Sequence, residues 1–81
     1  MTFKFSKQAL KALARLNAAQ KARIRQGIEG IPQGDIKPMR GLPGVYRLRV
    51  GDWRILFSYS AQNAVLVEKI APRGDAYKGG L

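Results

Sequence analysis

The 81-residue chain contains no cysteine and no histidine. The first absence removes disulfide staples and thiolate metal ligands. The second removes imidazole zinc ligands and any Ser-His-Asp or Cys-His nucleophile pair. Acidic groups are also scarce, with five in the whole chain. Asp35, Asp52, Asp75, Glu29 and Glu68 are scattered without convergent spacing, so neither a metal site nor a cofactor is expected. No apolar run approaches the roughly 18–20 residues of a membrane span. Nor does a signal-like stretch follow Met1, so a cytoplasmic protein without a membrane partner is expected. The hydrophobic content of 46% suffices for a folded core, and the length suits one domain over residues 1–81.

What the chain has in excess is positive charge. Fifteen Lys and Arg give a formal net charge of +10. A field of that sign favours a polyanionic partner such as RNA, DNA, anionic lipid or an acidic protein. Nucleic acid is preferred here over a merely soluble basic protein.

Polar–apolar alternation predicts a strand over Thr2–Phe5 with Phe3 and Phe5 inward. Ser6 stands at a helix N-cap position. From Lys7 to Leu16 a helix is predicted whose apolar side carries Leu10, Leu13 and Leu16, with Ala9, Ala12 and Ala14 filling in. Asn17 and Gln20 read as a capping box that restarts a helix at Ala18. Ile24, Ile28 and Ile31 mark its core side, and Gly30 and Pro32 end it. Pro32–Asp35 reads as turn chemistry and Lys37–Gly44 as an irregular basic loop. Strands follow over Val45–Val50, Trp53–Ser60 and Ala64–Ala71, with Gly51-Asp52 as a two-residue hairpin connection. The predicted fold is α+β: a short N-terminal strand, an antiparallel helical hairpin, then a three-stranded antiparallel meander. The helices cover one sheet face and leave the other open.

The Gly51-Asp52 turn has a sharp consequence. It sets Arg49 opposite Arg54, and the period of two then places Arg47, Arg49 and Arg54 on the face away from the core. Like charges across a ladder are destabilising. Guanidinium groups gathered this way suit a multiply charged anion such as phosphate. The bland alternative is a solvated face with splayed arginines, on which Arg54 would contribute little to stability. Arg73 and Tyr77 form a second cluster after the last strand, where tyrosine offers a ring to stack on a base. Lys7, Lys11, Arg15, Lys21 and Arg25 on the helices, with Lys37 and Arg40 in the basic loop, make a broader RNA- or ribosome-binding footprint.

Three segments carry a resemblance: Lys37-Pro38-Met39-Arg40-Gly41, Tyr46-Arg47-Leu48-Arg49-Val50-Gly51-Asp52-Trp53-Arg54-Ile55-Leu56-Phe57, and Ile70-Ala71-Pro72-Arg73-Gly74-Asp75-Ala76-Tyr77. Together they resemble the RelE/ParE toxin superfamily, and its RelE branch more closely. The resemblance implies a RelE-like microbial-RNase-type fold and the toxin of a bacterial type II toxin–antitoxin system. It further implies a metal-independent endoribonuclease that cuts mRNA in the ribosomal A site, with mRNA, ribosomal RNA and a cognate antitoxin as partners. Family catalytic positions then map to Arg47, Arg49, Arg54, Arg73 and Tyr77. Arg54 and Arg73 would stabilise the reacting phosphate, Arg47 and Arg49 would align the backbone, and Tyr77 would orient the scissile nucleotide.

Two positions depart from the pattern. Some relatives carry lysine where Arg47 and Arg49 stand, and many carry histidine where Pro72 stands, so no residue here is an evident general base. Two alternatives therefore stay open. One is a non-catalytic, ParE-like poison of DNA gyrase, a branch that generally lacks the full arginine and tyrosine set. The other is an inactive RNA- or ribosome-binding homologue.

Overall fold

A computed structural model of the chain describes residues 1–74. The elements are β1 (Thr2–Phe5), α1 (Lys7–Ala14), α2 (Ala18–Glu29), β2 (Asp35–Pro38), β3 (Val45–Val50), β4 (Trp53–Ala61) and β5 (Ala64–Pro72). They form a five-stranded sheet of order β1-β5-β4-β3-β2. β1 runs parallel to β5, and every other neighbouring pair is antiparallel. The α+β class and the helices on one face are as expected.

Ser6 starts α1 as its cap. The Ser6 hydroxyl accepts from the Ala9 N–H at 3.0 Å and donates to the Glu68 carbonyl at 2.7 Å. The Ser6 N–H also donates to the Val67 carbonyl at 3.0 Å, so the helix start is bound directly to β5. α2 opens with the capping box read from Asn17 and Gln20, with both reciprocal bonds formed at 2.8 and 3.1 Å.

α1 packs on β5 and β1, while α2 packs on β3. Between helices and sheet lies a core of Ala9, Ile24, Ile28, Leu48, Ile55, Phe57, Val65 and Val67. Tyr46, Phe57 and Tyr59 add a run of rings spaced 5.7 Å apart. Such pairs contribute about 0.5–1.5 kcal/mol beyond their burial.

Three expectations are corrected. Asp35–Pro38, read as turn and loop, is the edge strand β2, so the meander runs β2-β3-β4-β5 rather than through three strands. Proline is compatible with an edge strand, because one side of the strand has no ladder to complete. Ile36 pairs with Leu48 and packs against the core, which is why the segment joins the sheet. In α1, Leu10 is 53% exposed, and fully buried Ala9 faces the core instead. A small side chain there brings the helix axis close to the sheet. The helix also stops at Ala14, with Arg15 as its C-cap, short of the expected Leu16.

Gly27 interrupts α2 with a residue that costs about 1 kcal/mol against alanine in a helix. The structure supplies the reason, since a Cβ at Gly27 would stand 2.7 Å from Val50 Cγ2. We predict that Gly27→Ala lowers the unfolding free energy by about 1 kcal/mol, because overpacking of about 1–3 kcal/mol outweighs the gain in propensity. In a Val50→Ala background the same change becomes neutral or stabilising. Urea denaturation of the double-mutant cycle measures both.

Candidate nucleic-acid interface

Gly51 takes φ 57, a left-handed conformation that favours glycine, and lets β3 reverse into β4 through Gly51-Asp52. The resulting register pairs Val50 with Trp53, Arg49 with Arg54, Leu48 with Ile55 and Arg47 with Leu56. Each of these pairings is the one expected from the turn. β2 and β5 extend the ladder into two rows across the face remote from the helices. One row reads Asp35, Arg49, Arg54, Ala71 and the other Lys37, Arg47, Leu56, Lys69.

The Arg54 side chain folds back over the turn. Its Nη1 donates to the carbonyls of Gly51 and Trp53, both at 3.0 Å. Arg47 Nη2 meets Asp35 Oδ1 at 3.1 Å as a salt bridge. Arg47 Nε is enclosed without a hydrogen-bond partner among the described residues. Leaving such a donor unsatisfied costs about 1–3 kcal/mol. Arg49 is exposed. The Arg73 N–H donates to the Asp52 carbonyl at 2.7 Å, and Pro72 pairs with Trp53. Arg73 is thereby fixed at the same corner as Arg49 and Arg54.

The face is less open than expected. Arg54 is 7% exposed, Lys69 is 8% exposed, and Leu56 and Ala71 are also buried. Leu56 lies between Arg47 and Lys69 in the ladder, and long basic side chains cover apolar surface with their aliphatic stems. Arg54 is therefore not the exposed strand position that the sequence suggested.

The wider basic set divides. Lys37, exposed on β2, joins the arginine face through its pairing with Arg47. Arg40 is exposed in the connection from β2 to β3. Lys7, Lys11 and Arg15 are exposed along α1, and Lys21 and Arg25 along α2, on the helical side of the sheet. They do not converge with the arginine face. Tyr77 lies outside the described residues.

Four residues without an assigned role belong to the site or its border. Asp35 neutralises Arg47. Lys69 reaches the arginine face through a β-bulge, since Leu56 pairs with Lys69 but Phe57 pairs with Val67. Glu68, the residue passed over, has a buried Oε2 without a hydrogen-bond partner among the described residues. Arg23 on α2 reaches the hairpin corner from the other side, because a Cβ on Gly51 would stand 2.9 Å from its Nη2. Only an alternation that switches phase at Glu68 would reveal Lys69 in the sequence.

Residues 3–77 match the family profile described as the ParE toxin of the type II toxin–antitoxin system parDE. The chain belongs to the ParE toxin family. It is a type II toxin of the RelE/ParE superfamily, and its solved structural relatives come from the RelE side. The RelE–RelB complex from Pyrococcus horikoshii is similar at 30% identity and TM-score 0.69, covering 90% of this chain and 94% of that one. The RelB–RelE complex from Methanococcus jannaschii gives 25% identity and TM-score 0.73, over 91% and 94%. The RelBE2 complex from Mycobacterium tuberculosis gives 25% identity and TM-score 0.75, over 91% and 92%. No curated protein matches the toxin.

The burial of Arg54 sets a stability prediction. Arg54→Ala removes a charged donor from two carbonyls and lowers the unfolding free energy by about 2 kcal/mol, measured by urea denaturation. An unchanged midpoint would mean that these bonds contribute nothing net.

Proposed function

We propose that this toxin is a ribosome-dependent endoribonuclease that cuts mRNA in the ribosomal A site. The observation that supports this most is the gathering of Arg49, Arg54 and Arg73 at one corner of the sheet. In the reaction the ribose 2′-oxygen attacks the adjoining 3′ phosphorus and gives up its proton. The bond from phosphorus to the 5′ oxygen of the next nucleotide breaks, and that oxygen gains a proton. The products are a 2′,3′-cyclic phosphate and a free 5′-hydroxyl.

Within that reaction Arg54 and Arg73 stabilise the charge that builds on the pentavalent phosphate. Arg49 and Arg47 hold the RNA backbone in line, Arg47 by exchanging the Asp35 carboxylate for a phosphate. Tyr77 stacks on or orients the scissile nucleotide.

A second reading, a non-catalytic poison of DNA gyrase, is favoured by the ParE description of the matching family. Mapping message 5′ ends by primer extension in a translating extract separates the two. Cuts within codons that require ribosomes support cleavage. Intact message with arrested gyrase supercoiling supports the second reading, and intact message with normal supercoiling leaves an inactive binder. Arg49→Ala is the variant of choice, because Arg49 is exposed and its removal relieves a like-charge neighbour of Arg54. We expect cleavage to fall about 100-fold with no loss of stability. Full cleavage would remove Arg49 from the site.

The solved relatives are complexes with their antitoxins, which supports a cognate antitoxin here. A groove of about 410 Å³ between β1, α1 and α2 suits one of its helices. Phe3, Phe5, Leu10, Leu13 and Ile28 give it an apolar lining, and beside them Lys21 and Arg25 outnumber the one acidic group, Glu29. An amphipathic helix with acidic flanks is complementary to both features. Leu10→Asp should weaken antitoxin binding by about 100-fold or more, read by calorimetry. The toxin's own stability should change by less than about 0.5 kcal/mol, since Leu10 is exposed.

A further inference from the structure

A second groove, of about 390 Å³, lies between α2 and the edge of β3. β2 begins at Asp35, opposite Arg49, so β2 leaves the β3 edge unpaired from Val50 onward. α2 faces that gap with Arg23, Gln26, Gly27 and Gly30, whose spacing of i, i+3, i+4 and i+7 keeps them on one side of the helix. The floor is Leu48, Val50 and the glycine backbone, and the rim carries Arg23, Arg49, Gln26 and Gln33. Among the described residues, no acidic one lines it.

These groups divide by chemistry. Half-buried Val50 and the glycine backbone, above the buried Leu48, offer apolar surface to the face of a nucleobase. The amides of Gln26 and Gln33 present donors and acceptors to a base edge. The guanidinium groups of Arg23 and Arg49 suit phosphate, and Arg also stacks on bases. The volume falls within the range of about 300–1,000 Å³ typical of small-ligand sites, enough for one nucleotide. Arg49 belongs to this groove and to the arginine face at once, and Arg23 reaches Gly51, whose carbonyl holds Arg54. A strand crossing the arginine face therefore has a continuous basic path around the hairpin corner.

We propose that this groove binds one nucleotide of single-stranded RNA next to the scissile one, with Arg23 on its phosphate. The proposal rests on the endoribonuclease reading and extends the RNA path of that site. Its test is fluorescence anisotropy with a labelled single-stranded RNA oligonucleotide over a range of salt concentrations. Arg23→Ala should weaken binding by about tenfold at low salt. The slope of log affinity against log salt should fall by about 0.7, the value for one phosphate contact on a single strand. Arg23→Lys should restore that slope.

Gly30→Leu probes the floor without altering charge. A Cβ there meets nothing closer than 3.4 Å, so the variant folds with a side chain occupying the groove. It should weaken binding several-fold with the salt slope intact. Wild-type affinity and slope in both Arg23→Ala and Gly30→Leu, while Arg49→Ala binds weakly, would overturn the proposal. Loss of antitoxin affinity alone in these variants would overturn it too, since the groove would then serve a protein. Failure of the wild-type toxin to cut message in the translating extract would instead count against the endoribonuclease reading, with RNA affinity still deciding the groove.

Discussion

Because Gly51 adopts φ 57, β3 turns into β4 within two residues, and every side chain on the hairpin is assigned a face by that reversal. A residue with a Cβ would be strained there and would also press on Arg23. With the turn in place, Leu48, Ile55 and Phe57 point into the core, and Arg47, Arg49 and Arg54 share the opposite face. Pairing Arg49 directly with Arg54 costs up to about 1 kcal/mol. The same turn offsets the cost, since the Gly51 and Trp53 carbonyls accept from Arg54 and draw its charge onto the backbone. Asp35 does the same for Arg47 from the neighbouring strand. The arginine face is thus held by local acceptors.

The far side of the sheet is anchored by Ser6. Its N–H bonds Val67, its hydroxyl bonds Glu68, and the same hydroxyl caps α1. One residue therefore joins the end of β1, the start of α1 and the irregular part of β5. That irregularity matters for the site. Were β5 regular through Glu68, strict alternation from Val65 and Val67 would send Lys69 into the core and Ile70 to the arginine face. The bulge exchanges them, so Ile70 packs in the core and Lys69 stands opposite Leu56.

The legible parts of the fold are those fixed by neighbours in sequence. The Ser6 cap, the Asn17 and Gln20 box and the β3–β4 register each depend on a few adjacent residues, and each is legible from those residues alone. β2 was not, because its glycine and proline punctuation is that of a loop and its strand character comes from pairing with β3. The apolar side of α1 was visible, but not which of its residues would meet the sheet. Ala9 does so because β5 approaches closely, and this leaves Leu10 outward. The burial of Arg54 was hidden for a related reason: alternation assigns a face but not the path of a long side chain. The family likeness carried what local pattern could not, linking Arg73 to a corner nineteen or more residues away in sequence. The bond from Arg73 to Asp52 gives that link a physical form.

Arginine is a poor proton acceptor, so an arginine-rich site must work by position and charge. The magnitudes allow it. A single preorganised donor to a developing oxyanion contributes about 10²–10³ in rate, and in the proposed reaction Arg54 and Arg73 would each act as one. Holding the 2′-oxygen in line with the leaving oxygen adds an entropic gain that needs no base at all. Both effects demand that the guanidinium groups be fixed before the substrate arrives. Here two bonds fix the Arg54 guanidinium over its turn, and the tie from the Arg73 N–H to Asp52 fixes the backbone from which the Arg73 side chain extends. A flexible message cannot provide the other half of the alignment by itself. A scaffold that holds the RNA against the basic face would, and in the proposed reaction that is the part the ribosome would play.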